Sequence, residues 1–262
     1  MALEITFTGL EARRNHITAN EGFESLAGLS HAATLVAHFV ATDTVRQRQP
    51  YDERLQFFFQ DTRPGSLTAI LTLGGGLAMG VAGNAVYDLL KATWRRATGT
   101  GLEAHGDIES GDRTFRSGDI DALAEAISPS LLRGHSWIGH PEQRISIKTG
   151  RQVLADFSEA TKDYLQNEMP EEGESLQDVS VAALNVNSRH GRAYFFDLGR
   201  TVPYKVDRTA HPRTIPTLAR FLTRYAERAN ASVNIRFKKI FHLDGRLKRI
   251  IIFDCYALDG ER

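Results

Sequence analysis

The sequence predicts an α+β chain of two parts: a sheet covered by helices, then a small basic β-barrel of OB-like or SH3-like kind with one helix. Three observations predict it. Residues 3–8 alternate apolar and polar, and an apolar period of helical spacing follows over residues 20–42. The uncharged run from Leu67 to Tyr87 is broken by Gly74, Gly75 and Gly76 into a strand pattern and a helix pattern. The last third holds strand-like runs on both sides of one helix, and Asp244-Gly245 between two alternating runs is a strong hairpin signal. The expected domains are residues 1–168 and 178–262.

Composition fits such a chain. At 262 residues, with 42% apolar and 24% charged residues, one large or two modest domains are expected. The lone Cys255 excludes an intramolecular disulfide and a cysteine-rich zinc site. The first residues carry no apolar signal region, so a reducing cytoplasm is the expected location. Net charge is zero but unevenly spread. Residues 1–100 hold nine basic and nine acidic side chains, residues 101–187 seven and sixteen, and residues 188–262 sixteen and seven. That asymmetry suggests different partners for different parts.

In chain order, a strand over 3–8 leads to a helix capped by Asn20, with Phe23, Leu26, Leu29, Ala33, Val36, Ala37 and Val40 facing the core. His31 and His38 share a face of it, but metal pairs on helices usually sit four apart, so both are read as structural. Strands follow over 54–60 and 66–73, joined by a turn at Arg63-Pro64-Gly65. A helix of small residues then runs over 77–97. Read as one helix, the uncharged run would span roughly 31 Å, enough for a bilayer core, and Gly76 with Gly80 has the spacing of close helix contacts. Its several glycines favour instead a strand, a turn and a packed helix, within the domain or between copies.

Residues 99–118 read as a polar loop, and Asp107, Glu109 and Asp112 lack the ladder of a calcium loop. A short helix over 120–127 ends at Pro129. His135, Trp137 and His140 in GHSWIGHP form a turn-rich segment that can line a ligand pocket. A strand over 144–148 and a helix over 150–166, with Val153, Phe157, Ala160 and Tyr164 on one face, complete the first part. Residues 167–177 are acidic, with little to bury, and mark the boundary. Strands are expected over 179–186, 193–198 and 202–207, then a helix between Pro212 and Asn230, then the closing hairpin.

Several chemistries are excluded or lack support. Gly74-x-Gly76 places Met79, not glycine, at the third dinucleotide position, and no Lys-Ser/Thr follows for a P-loop. The acidic residue near the distance such a site expects, Glu103, lies in the polar loop and not at a strand end. No nucleophile elbow surrounds Ser66 or Ser136. Cys255 sits in an apolar strand as a core thiol, and Asp197 with Asp254 has no spacing that fixes a metal pair. No catalytic residue, metal or cofactor is expected.

The binding signal lies in the last part. Arg236 and Lys238 share a strand face, Arg246 and Lys248 lie on the partner strand, and Arg220, Arg224 and Arg228 recur on the helix. Phe237, Phe241, Tyr204 and Tyr225 are available for stacking. The loop 187–192, with Ser188, Arg189, His190 and Arg192, is the best single place for a ligand contact. Cations beside aromatics on a small barrel are a common way to hold single-stranded nucleic acid.

The segments LEITFTGL, RPGSLTAIL and NAVYDLLKATW, all in the first 100 residues, resemble uncharacterised bacterial proteins classed as domains of unknown function. That resemblance implies neither an activity nor site residues. Together these features predict a non-enzymatic bacterial binding and assembly protein. It is expected to form a homo-oligomer through the glycine-led helix. It is expected to bind nucleic acid or an acidic protein partner through Arg189, His190, Arg192, Tyr204, Arg236, Lys238, Arg246 and Lys248. The alternatives are a membrane-active effector inserting residues 67–97 and a hydrolase or nuclease with an unfamiliar site near His135, His140 or His190.

Overall fold

The alternation at the N-terminus is a strand, β1 (Ala2–Thr8), which buries Leu3, Ile5 and Phe7 on one face. In the computed structural model it is the centre of a five-stranded antiparallel sheet. The structure describes residues 1–10, 12, 16–63, 67–75, 79–100, 107–187, 189–227 and 231–256. Gly65, Ser66, Gly76, Glu103, Ser188, Arg228 and Asn230, with the loop glycines 101 and 106, lie outside them. The chain divides into two units, Met1–Gln166 and Asn167–Arg262.

The first unit continues with α1 (Ala19–Thr42), β2 (Gln56–Arg63), β3 (Thr68–Gly74), α2 (Met79–Thr98), β4 (Ile108–Ser110), β5 (Arg113–Phe115), α3 (Ser117–Gly134), β6 (Arg144–Thr149), β7 (Gln152–Phe157) and α4 (Glu159–Gln166). The sheet order is β2-β3-β1-β6-β7. Leu3, Ile5, Phe7, Leu71, Leu73, Ile145, Ile147 and Phe157 join one core with Leu29, Val36 and Val40 of α1, Leu89 and Trp94 of α2, and Leu123 and Ile127 of α3. Burying such side chains supplies about 1.5–3 kcal/mol each.

Several expectations change. The cap of α1 is Thr18, not Asn20, and Phe23 is 71% exposed. The first turn of that helix overhangs the core, so a helical period alone over-counts its buried face. The polar loop contains the hairpin β4–β5. Helix α3 runs through Pro129 instead of ending there. One proline costs about 3 kcal/mol in a helix interior, but α3 lies close along α1. A Cβ on Gly28 would overlap the Ser130 carbonyl and the Gly134 amide, so the close approach buries surface that holds the helix together. The helix expected over 150–166 is strand β7 followed by α4. Val153 and Phe157 sit four apart, as in a helix. Pairing with β6 instead turns Val153 outward, 42% exposed, and Phe157 inward.

Residues 67–97 are therefore not one apolar helix. Ala85, Val86, Leu89, Leu90, Trp94 and Ala97 of α2 are spent inside the first unit's core. Among the described residues, the helix long and apolar enough by composition to cross a membrane is α1, and 61% of its most apolar window is buried inside the protein.

The second unit holds β8 (Met169–Pro170), β9 (Ser175–Asn185), β10 (His190–Phe195), β11 (Arg200–Val206), α5 (Thr214–Ala226), β12 (Ser232–Phe241) and β13 (Leu247–Tyr256). The ring β9-β10-β11-β13-β12 closes because β12 also pairs with β9, so the barrel is closed. Only β11–β13 is parallel, with Tyr204 opposite Ile250. A helix between the third and fourth strands, with the third and fifth parallel, gives OB-like rather than SH3-like connectivity. Val181, Ala193, Phe195, Val202, Tyr204, Ile235, Phe237 and Ile252 fill the interior with Leu218 and Phe221 of α5. The expected hairpin is present, with the Gly245 amide donating to the His242 carbonyl at 2.9 Å. The acidic stretch buries little, as expected, but its backbone is paired: Met169 and Pro170 lie opposite Phe241 and Ile240.

Candidate functional site

The outer wall of β10 and β11 follows from the alternation of their residues. Ala193 and Phe195 point into the barrel, as do Val202, Tyr204 and Val206. The intervening residues then face outward. Register places His190 opposite Lys205, Arg192 opposite Pro203 and Tyr194 opposite Thr201. Beyond the strand end, Phe196 is 57% exposed and meets the Tyr194 ring edge-on, with centroids 5.6 Å apart. The wall carries two aromatic rings at one end and His190 with Lys205 at the other, and Arg192 lies between.

Arg189 borders this wall in a left-handed backbone conformation, φ 62°. Its guanidinium donates to the Asp207 carbonyl at 2.5 Å, and its own carbonyl accepts from the Val206 amide at 2.8 Å. Arg189 thereby pins the β9–β10 loop to the end of β11.

The other expected cations lie elsewhere on the barrel. Arg236 and Lys238 face outward on β12, Arg246 lies in the turn just before β13, and Lys248 lies at the start of that strand. Arg236 is paired with Glu174 at 2.6 Å, Arg246 with Asp244 at 2.6 Å, and Lys248 with Glu168 at 2.9 Å. Residues 167–262 hold sixteen basic and twelve acidic side chains, a net of +4, because the acidic stretch falls in the same unit as the cations it neutralises. The charge separation seen in sequence is thus partly closed within this unit.

Two expected stacking residues are core residues. Tyr204 and Phe237 are fully buried, and the Tyr204 hydroxyl donates to the Ala183 carbonyl at 2.9 Å. Burial raises that phenol's pKa above its ordinary range. The signal that would have found Tyr194 and Phe196 instead is strand phase: once Ala193 and Phe195 are placed inward, both neighbours must face out.

The histidines are placed differently from a catalytic cluster. His135 is fully buried at the end of α3. Its Nδ1 donates to the Leu131 carbonyl at 2.7 Å, and its Nε2 lies 2.8 Å from the Thr161 hydroxyl. Trp137 is also buried, so the first half of the GHSWIGHP segment is core and not a pocket wall. His140 is exposed in the following turn. His31 bridges Ser130 and Tyr51 at 2.6 Å each, and His38 accepts from the Asp52 amide at 2.9 Å. Both are structural ties, and burial lowers the pKa of each. Asp254 is held by Arg213 at 3.1 and 2.8 Å, and Asp197 is exposed in a turn. Burial pushes the Cys255 thiol up to about 11, which leaves it inert at neutral pH. Among the described residues no group of His, Cys, Asp or Glu could hold a metal.

In the first unit a cleft of about 230 Å³ opens between α2 and β4. Lys91, Arg95 and Arg96 line it beside Asp88 and Glu109, and Arg96 is paired with Asp121 at 2.9 Å, so its charges are mixed.

Residues 3–166 match the family described as Domain of unknown function (DUF7946), and residues 177–255 match the one described as Family of unknown function (DUF7947). The first match covers more than half of the chain, which therefore belongs to the DUF7946 family. No curated protein and no solved structure matches it.

Proposed function

We propose that this is a non-enzymatic binding protein whose barrel holds single-stranded nucleic acid on the outer wall of β10 and β11. The observation that carries it is the pair of the half-buried Tyr194 and the exposed Phe196, in line with Arg192, His190 and Lys205. Fold alone assigns no ligand. A pair of aromatic rings beside cations supports one, because every unpaired base has a π-face to stack and every nucleotide a phosphate to neutralise. Duplex DNA keeps its bases inside and offers such rings nothing.

The test is fluorescence anisotropy with a labelled oligothymidylate and a duplex of equal length, between 50 and 200 mM salt. The single strand is expected to bind more tightly, with an affinity that falls with salt. Tyr194→Ala with Phe196→Ala should remove most of it. No binding, or an affinity indifferent to salt, would sink the proposal. Self-association through α2 finds less support, since that helix's apolar face is already covered within its own unit.

A further inference from the structure

A second cationic surface lies on β12 and β13, and the chain's own acidic segment covers it. Residues 168–174 run along the barrel as a strap. Its backbone is held by the β8–β12 pairing and by the Glu171 amide, which donates to the Lys239 carbonyl at 2.9 Å. Its carboxylates take four cations. Glu168 binds Lys248 at 2.9 Å and Arg249 at 2.6 Å, Glu171 lies 3.7 Å from Lys239, and Glu174 binds Arg236 at 2.6 Å.

We propose that this face of β12 and β13 is a second binding site, for a linear phosphate chain, and that the strap is its resident competitor. The strap is an extended polyanion on adjacent cations, which is the chemistry such a ligand would present. It satisfies those cations incompletely. Arg236 and Arg249 each give one terminal nitrogen to a carboxylate, and the Nε of each is buried without a hydrogen-bond partner among the described residues. Glu171 Oε2 is likewise unpaired. Phosphate oxygens accept from guanidinium forks in pairs, so a phosphate chain can use the nitrogens that the strap leaves idle. Most of the paired side chains are about a third exposed, and ion pairs this wet hold weakly enough to be displaced. Lys238, outward on the same strand as Arg236, extends the surface.

The site deepens the nucleic-acid reading, since one strand could follow both walls, but a ligand without bases reports on it separately. The experiment uses the full chain and Glu168→Gln/Glu171→Gln/Glu174→Gln, with linear polyphosphate and labelled oligothymidylate as probes. Circular dichroism and the thermal midpoint check folding. Polyphosphate affinity of the triple variant is expected to rise at least about tenfold at 50 mM salt, with a salt slope steeper by about two. Adding Arg236→Gln and Arg249→Gln to it should reverse the gain. Should the triple variant fail to fold, Glu171→Gln alone, at the longest pair, is expected to raise polyphosphate affinity about twofold to threefold. A folded variant with unchanged polyphosphate affinity and slope would overturn the proposal. Failure of the stacking reading shows differently, as oligothymidylate binding that ignores Tyr194→Ala and Phe196→Ala.

Discussion

Tyr204 fills the slot that Gly191 leaves open. The two are register partners on β11 and β10, and a Cβ on Gly191 would overlap the tyrosine ring and the Ala183 carbonyl. Gly191→Ala is therefore expected to destabilise the barrel by about 2–4 kcal/mol, since overpacking forces side chains off their rotamers and breaks the Tyr204 hydrogen bond. Tyr204→Phe loses only that bond and should cost about 1 kcal/mol. Urea unfolding followed by circular dichroism measures both. Equal midpoints for Gly191→Ala and the wild type would show that the slot is slack.

Phe195 and Phe196 are neighbours with opposite duties. Phe195 is buried and packs edge-on against Phe237 at 5.6 Å. Phe195→Ala should cost about 3–5 kcal/mol of stability. Phe196→Ala should leave stability within about 0.5 kcal/mol and cost about 1–3 kcal/mol of oligothymidylate binding. A calorimetric midpoint and an anisotropy titration on each variant suffice. A Phe196→Ala protein that binds as tightly as the wild type would remove this ring from the interface.

Those two residues also show where the sequence stopped being informative. The barrel was legible because Asp244-Gly245 fixes a hairpin locally and because strand rhythm survives on both sides of α5. Which aromatics face out depends on strand phase, and Tyr204 and Tyr194 look alike until the barrel closes. The helix expected over 150–166 failed because Val153, Phe157, Ala160 and Tyr164 fit a helical spacing that pairing with β6 overrode. The strap was illegible for a different reason. Glu174 and Arg236 are 62 positions apart and Glu168 and Arg249 are 81 apart, and no local pattern links such partners. Dividing the chain at residue 187 put those charges in opposite camps.

Asp254 ties β13 to the start of α5. Burial pushes its pKa up, but hydrogen bonds from Arg213, Tyr256 and the Cys255 amide outweigh burial, and the carboxyl ends below its ordinary value. The folded state thus favours the ionised form. That stability is present above about pH 4 and is lost as pH falls through the depressed folded value. Asp254→Asn should unfold more easily at pH 7, and its stability should converge with that of the wild type as pH falls below the ordinary carboxylate range. A constant gap between the two across this range would mean that the charge of Asp254 contributes nothing.

His135 has the opposite charge logic and acts in the first unit. It is fully buried, with the Phe157 ring 4.5 Å away. Burial lowers its pKa to about 4, and the Lys162 charge adds to this against the Leu131 hydrogen bond. A backbone carbonyl can only accept, so Nδ1 carries the proton, and Nε2 lies 2.8 Å from the Thr161 hydroxyl, which itself donates to the Ser158 carbonyl at 2.9 Å. The unfolded chain binds that proton near pH 6.5 and the folded chain only near 4, so stability is full above about 6.5 and falls as pH drops toward 4. The loss amounts to about 3 kcal/mol. His31 and His38 shift in the same direction, so the contribution of His135 is read from a difference. Urea midpoints of the wild type and His135→Gln between pH 7.5 and 4.5 should converge as pH falls, because the variant has no imidazole to charge. Parallel curves would show that the buried ring takes up its proton as easily in the fold as out of it.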